Sequence, residues 1–352
     1  MQQRGPDLSH RERVRAALEL ETPLDRPPVM AWGHDFVAEW SPEQLADSTL
    51  ERARRFDWDV VKVQPRASCF AEAFGAGYGP SGSAAEGPRL GSWTIESAES
   101  WATLPEVDAS HPALSDQVTT VATVAAGIGR ERLVLQTVFS PFTVASYLAA
   151  DGEAEARRPR PDLIAKDQAR ALRHLDERPE LMAEALTVIT RTLVDYIDRS
   201  ANAGAGGFFY AIGGSASEDA LDQSRYEDLL LPHDLAVLAS VPIDMPVFVH
   251  LCGPRLNFDL ARGLPAAAVS WATSEAGNPS LAEGRDRSGH AAVGGIPEHA
   301  VLAHGSPDDV TRSVRAAIDD TQGRGLIVGP GCTVPPATPI ENLGVMVSAA
   351  SF

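Results

Sequence analysis

PVFVHLCG (246–253), AAAVSWA (266–272), AAVGGIP (291–297) and LIVGPGC (326–332) follow one another in the last third of the chain, each a short apolar run. Runs that are apolar at consecutive rather than alternate positions describe strands buried on both faces, as in a parallel sheet. Working back towards the start, the same kind of run recurs at PVMAWGH (28–34), DVVKVQP (59–65), LVLQTVFS (133–140) and GFFYAIG (207–213). Helices are expected between these runs. One lies at 10–20 behind the S-x-x-E capping box of Ser9 and Glu12, and one runs from Ser41-Pro42 to about Phe56. Others fall near 115–129, 141–150, 162–176, 179–203, 224–240, 278–286, 306–322 and from Pro339 onward. The Gly-, Ser- and Pro-rich stretch 66–115 reads as an irregular excursion carrying a hairpin, and DGEAEARRPRP (151–161) as a charged loop. Eight β-α units predict an α/β protein of the (β/α)8 TIM-barrel class, a single domain over 1–352 with an N-terminal helical extension over 1–26. A doubly wound sheet is the competitor, but no G-x-G-x-x-G follows the first run.

Composition narrows the function. A chain of 352 residues builds a sizeable core without a disulfide or a metal, so a metal found in it serves chemistry. Acidic residues outnumber basic ones 48 to 30, a formal charge of −18, which argues against nucleic acid as a partner. No run of about 18 apolar residues occurs, so no transmembrane helix is expected, and MQQRGPDLSHRERVRAALEL carries no signal-peptide pattern. Three cysteines cannot all pair and are too few for a secreted disulfide scaffold, which points to a reducing cytoplasm.

In a barrel, chemistry collects at the C-terminal ends of the strands. Those ends place His250 and Cys252 at i and i+2 of one strand, on one face, with Cys332 closing the last strand. One imidazole and two thiolates are a zinc set with a fourth position open or weakly held. Each alone has a blander reading, as a core histidine or a small buried hydrophobe. Glu275 is a candidate fourth ligand, as is Glu218, although loop carboxylates are more often solvated. Lys62, inside an apolar strand, either holds an anionic substrate group or pairs with a carboxylate such as Asp35. His34 and Asp35 read as an acid/base pair, Tyr147 as a phenol pointing inward, and Tyr210 and Trp271 as aromatic walls for a flat ligand. Cys69 reads as an ordinary thiol.

SPFTVASYLA, VHLCG, GGIPEHAVLAHGSPDDV and LIVGPGCTVPPATPIENL together resemble the uroporphyrinogen decarboxylase superfamily, (β/α)8 barrels, over nearly the whole chain. The decarboxylases proper carry an arginine-rich R-Q-A-G-R-Y segment where this chain reads PVMAWGHDF, and a G-H-G turn where it has Gly331-Cys332. The sequence is similar instead to the methylcobamide:coenzyme M methyltransferase branch, whose H-x-C…C zinc motif falls on His250, Cys252 and Cys332. Cobalamin-independent methionine synthase, a related barrel, adds a Glu after the first cysteine. That makes Glu275 worth naming, although strand alignment puts Trp271 there. The resemblance implies methyl transfer from a corrinoid (cobalamin), carried on a partner protein, or a similar donor to a zinc-activated thiol, with a small-molecule thiol or acid as the substrate. The alternatives are a metal-free decarboxylase and a non-catalytic corrinoid-binding barrel.

Overall fold

The computed structural model describes residues 8–351 except Leu24, Trp93 and 151–167. The charged loop expected at 151–161 and the start of the helix expected at 162–176 lie outside the described residues. Nine strands are present among the described residues: β1 (Val60–Val63), β2 (Gly77–Gly79), β3 (Arg89–Ser92), β4 (Leu133–Phe139), β5 (Gly207–Ile212), β6 (Val247–Leu251), β7 (Ala268–Ser270), β8 (Ala291–Ile296) and β9 (Leu326–Pro330). Strands β2 and β3 form the hairpin expected in the excursion. The other seven make one parallel sheet in the order β1-β4-β5-β6-β7-β8-β9, matching seven of the eight apolar runs. Every residue of β1, β4, β5, β6, β7 and β9 is buried, which explains why these runs show no polar alternation.

The eighth run, 28–34, is not a ladder strand. Its pairing reduces to an isolated parallel bridge between Val29 and Val328. Pro27 and Pro28 have no N–H to donate, so a full ladder cannot form there. The segment still lies between β9 and β1: Met30 N donates to Val328 O (2.9 Å), Val328 N to Pro28 O (2.8 Å) and Asp59 N to Val29 O (2.8 Å). The architecture is TIM-barrel-like.

Helix positions follow the sequence reading closely, from His10–Leu18 under its Ser9–Glu12 capping box to Ile340–Ala350. The helix expected at 224–240 is two, Gln223–Leu229 and Leu231–Leu238, because Pro232 is accommodated only in a first turn. No described helix is long and apolar enough to cross a membrane.

At the N-terminal end of β1, Asp59 is fully buried and accepts five hydrogen bonds, from His10 Nδ1 (2.8 Å), Arg13 Nη1 (3.2 Å), Arg26 Nη1 and Nη2 (2.5 and 3.1 Å) and Val29 N (2.8 Å). This cluster fastens the first helix and the 28–30 segment to the base of the sheet.

Candidate metal centre

His250 and Cys252 stand at the C-terminal end of β6 and share a face by strand alternation. Cys332 follows β9, three places along the sheet, and the curl of the sheet returns it to the same spot. One ligand atom from each of the three lies within 4.8 Å of the other two. The Cys252 and Cys332 sulfurs are 3.8 Å apart. Two sulfurs bonded at ~2.3 Å to one tetrahedral ion stand about 3.8 Å apart, so the pair already has the spacing a zinc site requires.

Local sequence produces this convergence. A Cβ on Gly331 would lie 2.4 Å from Ala272 Cα, so only glycine lets the end of β9 press against the end of β7 and carry Cys332 inward. His250 pairs in register with Ser270 of β7, whose buried Oγ is 3.2 Å from Nδ1. With Nδ1–H donated to Ser270, Nε2 presents its lone pair to a metal, the outer-sphere support such histidines need. The ring stacks on Phe209 (centroids 5.7 Å) and meets Trp32 edge-on (6.2 Å).

The facing side of the mouth is a polar chain. Lys62 donates to Gln64 Oε1, Gln64 Nε2 donates to His34 Nε2 (3.2 Å), and His34 Nδ1 donates to Glu39 Oε2 (2.8 Å). Lys62 Nζ also lies over the Phe209 ring at 4.6 Å and the Trp32 ring at 5.9 Å. Burial lowers its amine to a pKa of about 7, opposed by the charge of Cys332. Between the two sides is a cavity partly open to solvent. Trp32, Phe139, Phe209 and Tyr147 line it, together with His34, Lys62, His250, Cys252 and Cys332.

Several expectations are corrected. The partner of His34 is Glu39, not Asp35, whose carboxylate accepts from Ala38 N (3.0 Å) and Ser48 Oγ (2.8 Å) and does not line this cavity. Lys62 finds an amide rather than Asp35. Tyr210 alternates with Phe209 and points the other way, its hydroxyl 2.5 Å from the buried Asp234, which Tyr226 also contacts at 2.5 Å. Trp271 packs outside the mouth on Phe258 and donates to Pro279 O (3.0 Å). The aromatic walls are therefore Trp32, Phe139 and Phe209. Glu275 lies partly exposed in the turn after β7 and is not among the converged groups.

Sequence reasoning missed Ser270, whose role shows only once β6 and β7 are in register. It also missed Glu298, two residues past β8 and 4% exposed. Burial pushes the Glu298 carboxyl up, the charge of Cys332 acts the same way, and His299 and His250 oppose them.

Comparison with known proteins agrees with this architecture. A uroporphyrinogen decarboxylase from Phenylobacterium zucineum is 29% identical over 328 residues, covering 89% of this chain and 85% of that protein. One from Jannaschia sp. is 30% identical over 167 residues, covering 47% of this chain and only 44% of that protein. A solved structure of a methyltransferase from Methanosarcina mazei matches with a TM-score of 0.78 at 19% identity, covering 98% of each chain. A B12-independent methionine synthase from Shewanella sp., solved with selenomethionine, matches with a TM-score of 0.55 at 12% identity over 94% of each chain. The sequence model of the uroporphyrinogen decarboxylase (URO-D) family matches residues 28–351, and the chain belongs to that family.

Proposed function

We propose that this chain is a zinc-dependent methyltransferase, moving a methyl group from a corrinoid or similar donor to a thiol. The observation that carries the reading is the convergence of His250, Cys252 and Cys332 within 4.8 Å at the cavity. These three would hold the ion, and Ser270 orients the imidazole. Bound zinc would keep a substrate thiol as thiolate at neutral pH, the nucleophile that methyl transfer needs. Trp32, Phe139 and Phe209 exclude water from the reacting groups and strengthen electrostatics there. Lys62, facing the triad across the cavity, suits a substrate that also carries a single acid group. A corrinoid would be presented at the open mouth by another protein.

The competing reading is metal-free decarboxylation, favoured by the names of the curated relatives. Against a polycarboxylated tetrapyrrole, Lys62 is the one Lys or Arg lining the cavity among the described residues.

Metal analysis of protein purified under reducing, metal-replete conditions tests the proposal. About one zinc per chain is expected, lost in Cys332→Ala, together with methylation of a small thiol by methylcobalamin. Absence of bound metal overturns it. Carbon dioxide release from uroporphyrinogen that chelators do not inhibit would establish the decarboxylase instead. A cobalamin spectral change without methyl turnover would mark a binding protein.

A further inference from the structure

We propose that Glu298, rather than Glu275, supplies the fourth protein ligand of this metal centre. The inference rests on the metal reading above.

Position comes first. The ligands occupy the arc from β6 to β9, and β8 lies inside that arc, next to β9. Glu298 follows β8 after one proline and opens a single π-helical turn, Glu298–Leu302, whose first carbonyl accepts from Ala303 N at 3.0 Å. Single π turns recur at functional sites because they re-aim one side chain. Glu298 does not line the cavity, so a bond from it would leave the cavity side for substrate.

Burial comes second. The residue is 4% exposed, its Oε2 has no hydrogen-bond partner, and its Oε1 stands 4.0 Å from His299 Nε2. A buried carboxylate oxygen without a partner is costly, and a cation is one of the few things that explains it. Both Cys332 and His250 act electrostatically on this carboxylate, which ties it to the triad. The carboxylate stands outside the 4.8 Å set of the other three, so ligation requires the side chain to rotate towards them. The rotation gives up the carboxyl's bond to its own backbone N–H, while Oε2 has no partner to lose. Glu275, by contrast, is partly exposed on a loop, where water already solvates it.

The donor set also fits. Zinc accepts carboxylate alongside imidazole and thiolate, and catalytic sites tolerate a fifth donor from the substrate.

The test compares wild type, Glu298→Gln and Glu275→Gln, stripped of metal under reducing conditions. Zinc affinity is read by competition with a chromophoric chelator, and cobalt(II) is titrated in parallel for its visible spectrum. Glu298→Gln is expected to weaken zinc by at least ~10-fold and to shift the cobalt bands, with Glu275→Gln matching wild type. Unchanged affinity and spectrum in Glu298→Gln overturn the proposal, as does a loss confined to Glu275→Gln. Should Glu298→Gln fail to fold, Glu298→Ala provides the second reading. Added acetate should restore its zinc affinity, and no restoration counts against Glu298. Wild-type protein that binds neither metal would instead overturn the metal reading itself.

Discussion

The two ends of the barrel treat buried charge in opposite ways. At the base, Asp59 is surrounded by five donors, three of them from two buried arginines. At the mouth, Lys62 is nearly as buried but, among the described residues, meets an amide carbonyl and two aromatic rings rather than a carboxylate, and Glu298 keeps one oxygen without a partner. Complete pairing holds elements together, here the first helix and the 28–30 segment. Incomplete pairing leaves field and valence for something that arrives later. Satisfaction of a buried charge, more than its mere presence, separates the structural end of this molecule from the chemical one.

The largest expected effect is at the base. Asp59→Asn leaves Arg26 buried without its carboxylate, while Arg13 keeps Asp25 (2.6 Å), and should cost ~3–5 kcal/mol in urea or thermal unfolding, with zinc affinity unchanged. A parallel loss of zinc affinity would break the independence of the two ends. Burial alone would raise the Asp59 carboxyl, but His10, Arg26 and Val29 N outweigh it and hold it below its ordinary value. Its stabilisation is therefore present above the unfolded carboxylate range and lost as pH falls through the folded pKa. Asp59→Asn should flatten the acid limb of stability.

Lys62→Met should act with the opposite sign. The folded amine titrates at about 7 against 10.5 unperturbed, so between those values the unfolded chain binds more protons. Stability of wild type should rise with pH across that window, and the penalty is complete below it. Lys62→Met should remove this slope and gain about 2–4 kcal/mol at pH 6 while weakening binding of acidic thiols. Equal stability across the window would show that Lys62 is better paired than its surroundings imply.

Ser270→Ala probes the mouth more gently. Zinc affinity should fall by ~10–100-fold with the unfolding midpoint nearly unchanged. Asp35→Ala should have the smallest effect, about 1 kcal/mol of stability from the lost bond to Ala38 N. Zinc affinity should stay at the wild-type value, and any loss would return Asp35 to the site.

Much of this was legible in the sequence. Seven of the apolar runs are ladder strands because burial on both faces leaves an unbroken hydrophobic signature. The triad was legible because the spacing of His250 and Cys252 fixes a common face and Cys332 ends a strand. A strand-end position does not place Tyr210 and Trp271, because position along a strand does not say which face is inward. Strand alternation sets Phe209 and Tyr210 on opposite faces. Glu39 and Glu298 were not legible. Each sits on a short irregular turn, Ala38–Trp40 or Glu298–Leu302, whose geometry no hydrophobic period encodes.

The bridge between Val29 and Val328 has a consequence for the order of events during synthesis. Its two residues lie almost the whole chain apart, so the 28–30 segment has no partner on its β9 side until the final strand has been made. That segment leads directly to Trp32 and His34, which line the cavity, while Cys332 comes just after β9. Contacts of such sequence separation form late because closing the intervening loop must precede them. The mouth is thus assembled from the earliest and the latest parts of the polypeptide, and a chain stopped short of β9 would carry most of the sheet but not Cys332.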